Sequence, residues 1–210
     1  MSLKVGINGF GRIGRMVLRS IIENNRKDID VVAINNRARS EVSNFLLKHD
    51  SVHGKFKAKL NYSDEMLDIN GKKIAMIHET EIAKINWKKH KVDLVLECTG
   101  KFNTKEKSAE HIKSGAKKVL VSAPCKGAIN IVFGVNHSVL KKSDQVISAA
   151  SCTTNCLAPV AMILDNEIGI EYGFMTTVHS FTGDQRTVDQ NHNDLRRART
   201  ASSSMIPTST

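Results

Sequence analysis

The sequence predicts an α/β chain built on a doubly wound, mostly parallel sheet, followed by the start of a second, α+β unit. Three observations carry this reading. Short apolar runs alternate with helical periodicity through the first part of the chain. The first run ends in a glycine-rich turn that opens directly onto a helical pattern. Beyond Ser151 the alternation stops, and a long helical stretch and a polar segment follow.

Taken in order, "VGINGFGRIG" at residues 5–14 runs from an apolar strand into the turn. In "RIGRMVLRSIIEN", Ile13, Val17, Leu18, Ile21 and Ile22 then fall at helical spacing. "IDVVAINN" is a second strand about twenty residues after the glycines. A helix over "ARSEVSNFLLKHD" follows, then a hairpin-like region with Asn70 and Gly71 as its turn signal. "VDLVLECTG", "KKVLVSAP" and "INIVFG" alternate with helical or turn segments, which places a ligand at the carboxyl edge of a parallel sheet. After "QVISAAS" we expect a helix over 153–167, a strand over "YGFMTTVHSF" and a polar stretch "TGDQRTVDQNHNDLRRARTASSS". Pro159 is awkward inside that helix, and the residues alone start it there. The domain expectation is 1–150 and 151–210, with no internal repeat.

The chain has 210 residues, 40% hydrophobic and 5% aromatic, a globular composition large enough for one large domain or two modest ones. Runs such as "VLVSA" and "PVAMIL" fall far short of the roughly 18–20 residues that cross a bilayer. "MSLKVGINGF" enters a strand without a leader pattern. A soluble cytoplasmic protein without membrane association is expected. Cys98, Cys125, Cys152 and Cys156 are too scattered for a disulfide framework and lack metal-ligand spacing, so reduced thiols and no metal are expected. The formal net charge of +10 points to an anionic partner. Phosphorylated small molecules account for it as well as nucleic acid does, and no aromatic interleaving supports a base-stacking surface.

"NGFGRIG" fits G-x-G-x-x-G. Gly9 permits the tight turn, Gly11 lets a pyrophosphate approach the backbone, and Gly14 lets helix and strand pack closely. A structural turn can have the same spelling. The strand before, the helix after and the second strand beyond point instead to dinucleotide binding on a Rossmann-like sheet. "SAASCTTNCLAP" then sets Cys152 and Cys156 four apart. A thiol near pKa about 8.5 is mostly protonated at neutral pH, so a nucleophilic Cys needs a helix N-terminus or an imidazole. Cys152 opens a helical region among hydroxyls, and His179 ends the next expected strand. On spacing alone, nucleophile and core thiol both remain open for Cys152, while Cys156 reads as a helix-packing residue.

With "HDSVHGKF", "ECTGKF", "GAKKVLVSAP", "GVNH", "MTTVHSFTGDQR", "DLRRAR" and "IPTST", these motifs resemble the phosphorylating glyceraldehyde-3-phosphate dehydrogenases over the entire chain. The resemblance implies that Cys152 is the nucleophile and His179 its base, and that the helix begins near Cys152. It implies cofactor contacts at Asn8, Gly9, Phe10, Gly11, Arg12, Ile13, Asn36, Arg37, Thr99, Gly100 and Ser122. Ser151, Cys152, Thr153, Thr182, Arg197 and Thr210 would surround the substrate and the phosphate positions. The implied reaction takes glyceraldehyde 3-phosphate and inorganic phosphate, in glycolysis or gluconeogenesis. The implied assembly is a homotetramer, with the polar stretch 182–204 against neighbouring subunits. The chain would be the first two-thirds or so of a longer polypeptide, expected to bind cofactor poorly or to be inactive alone.

Asn36 stands where many NAD-specific members carry Asp, and Arg37 and Arg39 follow it. A carboxylate there repels a 2′-phosphate, whereas Asn does not and an Arg attracts it. Use of both NAD and NADP is therefore expected, with two merely solvated arginines as the alternative. Competing functions are an erythrose-4-phosphate dehydrogenase and a non-catalytic, RNA-associating Rossmann protein. Binding alone does not require Cys152 and His179 together.

Overall fold

The computed structural model describes residues 2–208. β1 (Leu3–Asn8) leads into α1 (Arg12–Glu23), β2 (Ile29–Asn35) and α2 (Ser40–Lys48). A two-residue antiparallel ladder, β3 (His49–Asp50) with β4 (Gly54–Lys55), precedes β5 (Leu60–Ser63), β6 (Met66–Ile69) and β7 (Lys72–Ile77). β8 (Leu94–Glu97), α3 (Lys105–Ser108), α4 (Glu110–Lys113), β9 (Lys118–Val121), β10 (Ile129–Asn130) and β11 (Val146–Ser148) follow, and α5 (Cys152–Ile168) comes last. Among the described residues one sheet of nine strands has the order β10-β11-β9-β8-β1-β2-β7-β6-β5. It is parallel from β10 to β7 and antiparallel only where β6 and β5 are added. The doubly wound expectation holds.

The chain forms two compact units, Met1–Ala158 and Pro159–Thr210. In the first, both faces of the sheet are covered, which is why its strands read as short continuous apolar runs. Val5, Ile7, Leu18, Val31, Ile34 and Leu47 form the core beneath α1 and α2. Trp87, Val95, Val119, Val121 and Val146 form a second core on other residues of the sheet. Full burial of each large aliphatic chain contributes about 1.5–3 kcal/mol. The Asn70–Gly71 signal is the β6–β7 turn, with φ of 55° and 86° at its two residues. The helical stretch around residues 103–118 resolves into α3 and α4, adjoining at Ala109.

Three expectations for the last third of the chain need correction. Residues 172–181, "YGFMTTVHSF", are not a strand: they have no ladder partner among the described residues, and β-branched and aromatic side chains do not make a strand without one. The helix starts at Cys152, as the resemblance implied, and not at Pro159, which lies inside it. Ser151 explains the start: its Oγ accepts the Thr154 N–H at 3.0 Å, an N-cap that satisfies one orphan donor of the first turn. The Asn155 amide donates to the carbonyls of Ala149 (2.7 Å) and Ser151 (2.9 Å), pinning that turn to the end of β11. These contacts offset the hydrogen bond Pro159 removes. Cys156, expected to pack, is exposed, because α5 has no buried residue. No helix among the described residues is long and apolar enough to cross a membrane.

Candidate active site

Strand order reverses direction at β1, which has β2 on one side and β8 on the other. In open parallel sheets the crevice outside the carboxyl ends at such a point is where ligands bind. The glycine turn follows β1 there. Gly9 has φ of +92°, a region open to glycine, and a Cβ on it would stand 2.8 Å from the Thr99 nitrogen. A Cβ on Gly14 would stand 2.2 Å from the Gly9 carbonyl oxygen, so α1 and its turn approach as only glycine permits. At Gly11 a Cβ would meet nothing within 4 Å, and no side chain caps α1 there. Open space therefore faces the uncapped N-terminus of a twelve-residue helix. Its first-turn amides and partial positive charge fit a pyrophosphate.

The other residues expected at the cofactor follow neighbouring strand ends. Phe10 is in the loop, but its side chain is buried in the core, which leaves only its backbone for a ligand. The Arg12 guanidinium is held by Asp50 at 2.9 and 3.4 Å, which leaves the Arg12 amide at the helix start; Ile13 is half exposed. Asn36 follows β2, and its amide donates to Ser43 Oγ at 3.0 Å, so its Oδ1 is the group turned to acceptor work. Arg37 and Arg39 are exposed, and neither has an ion-pair partner among the described residues. Thr99 and Gly100 follow β8, and Ser122 follows β9 with its amide on the Glu97 carbonyl at 3.0 Å. Burial pushes the Cys98 thiol up to about 11, with the Glu97 carboxylate adding to the effect and a Ser122 hydrogen bond opposing it. Cys98 is therefore a poor nucleophile at neutral pH.

Cys152 is the first residue of α5 and is exposed, as a thiol that meets a substrate must be. Ala150, two residues before it, is buried with φ of 58°. A left-handed backbone at a residue with a Cβ stores strain on the order of 1–3 kcal/mol, a feature that clusters at functional sites. The Ala150 amide is held by Ser148 Oγ at 3.0 Å, and the Ser151 hydroxyl also meets Thr154 Oγ1 at 2.7 Å. Thr153 lies in the same first turn.

His179, Thr182 and Arg197 lie in the second unit. His179 and Thr182 are exposed, and Thr182 Oγ1 accepts the Asp184 N–H at 3.4 Å. The Arg197 guanidinium is held by Asp184 and donates to Thr208 Oγ1 at 3.1 Å, so it meets the "IPTST" segment. Thr210 lies outside the described residues. His192 and Arg197 hold the Asp184 carboxyl below its ordinary range.

Sequence reasoning missed the supporting residues. Asp50 anchors Arg12 and also accepts the amides of Val52 (3.0 Å) and His53 (2.9 Å). Its carboxyl is held well below the ordinary range by the His53 amide and then by Arg12. The "HDSVHG" turn, with Asp two and three residues before its amide partners, was the available signal. Asp184 was legible as the acid in "TGDQR" only once Arg197 was known to reach it.

Residues 3–105 match the family model described as glyceraldehyde 3-phosphate dehydrogenase, NAD binding domain, and residues 151–210 match glyceraldehyde 3-phosphate dehydrogenase, C-terminal domain. Curated relatives include a glyceraldehyde-3-phosphate dehydrogenase of Cereibacter sphaeroides, 56% identical over 211 residues, and one of Xanthobacter flavus, 53% identical over 211 residues. Another, from Zymomonas mobilis, is 52% identical over 212 residues. Each alignment covers 100% of this chain and 63% of the relative, so the chain spans less than two-thirds of the length of the proteins it matches. With both domain models matched in order and identity of this level across every residue, the chain belongs to the glyceraldehyde-3-phosphate dehydrogenase family.

Proposed function

We propose that the chain carries a dinucleotide-binding domain over 1–150 and, from 151, the opening of the catalytic domain of a phosphorylating oxidoreductase. The reaction converts glyceraldehyde 3-phosphate and inorganic phosphate to 1,3-bisphosphoglycerate. The observation that carries this reading is an exposed Cys152 at the capped start of α5, directly after a strand of the sheet whose carboxyl edge bears the glycine turn.

In this reading Cys152 attacks the aldehyde carbon as thiolate, forming a C–S bond and a hemithioacetal. His179 activates the thiol and takes the hydroxyl proton as the carbonyl reforms. The Cys152 backbone amide at the helix start donates to the developing oxyanion. When bound, the nicotinamide supplies the acceptor for the electron pair that leaves the carbon with its hydrogen. The Cys152 thioester that remains is cleaved by phosphate oxygen; the C–S bond breaks and the thiolate is regenerated. Ser151, Thr153, Thr182, Arg197 and Thr210 hold the two phosphate positions through hydroxyls and guanidinium. The meeting of Arg197 with Thr208 supports that grouping.

For the cofactor we propose NAD with appreciable use of NADP. The exposed guanidiniums of Arg37 and Arg39 beside Asn36 support it, since both are available to a 2′-phosphate. A homotetramer is proposed too, supported by the exposed apolar side chains of Phe174, Val178 and Leu195 in the second unit. The test is an initial-rate assay of the full-length protein with each cofactor, with and without phosphate, and with erythrose 4-phosphate as rival substrate. Phosphate-dependent oxidation of glyceraldehyde 3-phosphate, absent in Cys152→Ser, is expected. A preference for the four-carbon sugar, or unchanged turnover in Cys152→Ser, overturns the reading.

A further inference from the structure

Beneath the crevice runs a buried polar chain whose centre, Glu97 and His111, has no part in the roles above. Glu97, at the end of β8, is fully buried, and four donors converge on it. Its Oε2 accepts the Asn8 amide at 2.5 Å and His111 Nε2 at 3.0 Å, and its Oε1 accepts the Thr99 N–H at 2.7 Å and the Thr99 hydroxyl at 2.5 Å. His111 is also fully buried, and its Nδ1 accepts the Trp87 indole N–H at 3.0 Å. An indole nitrogen can only donate, so Nδ1 is bare and the imidazole proton sits on Nε2, aimed at Glu97. On the other side, Asn8 Oδ1 accepts from Asn35 at 2.8 Å. Asn35 in turn brackets the backbone of Glu79, accepting its N–H at 2.9 Å and donating to its carbonyl at 3.0 Å.

The members of this chain end the strands from which the crevice loops hang. Asn8 precedes Gly9, Asn35 precedes Asn36, and Glu97 lies two residues before Thr99. The two turns also touch: the Cβ position of Gly9 is 2.8 Å from the Thr99 nitrogen and from its Cγ2. We propose that Glu97, oriented by the Nε2–H of His111, is a positioning residue that sets the separation of the Gly9 and Thr99 turns before a dinucleotide arrives. The inference rests on the dinucleotide reading of the crevice. A carboxylate is the side chain that suits four donors. A carboxamide in its place would turn an NH2 toward the Asn8 and His111 donors.

The test measures binding of ADP-ribose and NAD to the full-length protein by calorimetry, beside circular dichroism to follow folding. Glu97→Gln is expected to weaken ADP-ribose at least tenfold while folded. His111→Gln keeps an acceptor for Trp87 and a donor for Glu97, and is expected to stay within about threefold of wild type. His111→Phe, which keeps neither, follows Glu97→Gln. A purely structural role would lower the melting temperature of all three and leave the affinity of the folded protein unmoved. Should the variants fail to fold, hydrogen exchange of the wild type decides. A Thr99 amide already protected without ligand supports the proposal, and one protected only after ADP-ribose is added overturns it. Tight binding by folded Glu97→Gln overturns the proposal alone. A full-length wild-type protein that binds neither ligand overturns the dinucleotide reading and the proposal with it.

Discussion

Alanine at Gly11 and at Gly14 should separate two jobs that one motif performs. At Gly14 the added methyl would stand 2.2 Å from the Gly9 carbonyl oxygen and 3.1 Å from Ile7 Cγ2. That is more than about 1 Å inside van der Waals contact, and the obstructing oxygen is backbone rather than a side chain that can swing away. Overpacking of this kind costs about 1–3 kcal/mol or more. A loss of about 2 kcal/mol lowers the melting temperature of a chain this size by roughly 4–8 °C. At Gly11, with φ of −71°, the methyl would enter open space. Loss of a favourable N-cap residue, on the order of 0.5–1 kcal/mol, is offset by about 0.4–1 kcal/mol from a less flexible unfolded chain. Stability should therefore stay within about 0.5 kcal/mol. The same methyl occupies the approach to the α1 amides, so the affinity for NAD and ADP-ribose should fall at least tenfold, or about 1.4 kcal/mol. Thermal melts and calorimetric titrations of both variants give the four numbers. Gly11→Ala binding ADP-ribose as tightly as wild type would refute the assignment of the pyrophosphate to this turn, and an unshifted melt for Gly14→Ala would refute the packing argument.

Iodoacetamide at neutral pH should modify Cys152 well before Cys98, whose thiol burial pushes up to about 11; peptide mapping with Cys98 labelled first would contradict this. The depressed carboxyl of Asp50 contributes stability that is complete above its unfolded pKa of about 3.9 and is lost as pH falls through its lower folded value. Asp50→Asn should thus lower the urea midpoint at pH 7 and flatten its fall in acid, and an unchanged acid profile would count against the Arg12 and His53 contacts. Asn36→Asp should depress kcat/KM with NADP far more than with NAD, by ten- to a hundredfold in ratio, and a wild-type preference for NAD of a thousandfold or more (about 4 kcal/mol) would remove the premise.

What the sequence made legible is what lies close along the chain. The strand, turn and helix around Gly9, Gly11 and Gly14 are contiguous, and the Asn70–Gly71 turn demands a backbone few other pairs accept. The start of α5 was harder, because Pro159 advertises a helix N-terminus more loudly than Ser151, whose capping depends on the Thr154 amide coming back to it. Residues 172–181 are rich in aromatic and β-branched side chains as strands are, yet pairing is a property of two segments, and one segment cannot report its partner. The Glu97 cluster was invisible for the same reason: Asn8 and Glu97 are 89 residues apart, and Trp87 and His111 are 24 apart. A Glu at the end of an apolar run looks like a solvated strand end until the sheet brings four donors to it.

Trapping the thioester decides whether Cys152 carries the acyl group. The full-length protein is mixed with glyceraldehyde 3-phosphate and NAD in phosphate-free buffer, so the acyl-enzyme forms and is not cleaved by phosphate. Tandem mass spectrometry of the acid-quenched digest then locates the adduct. One phosphoglyceroyl group on Cys152 is expected, lost when inorganic phosphate is added and missing from Cys152→Ser. An adduct on Cys156 or Cys98, or oxidation of the aldehyde with no adduct on Cys152, would contradict it.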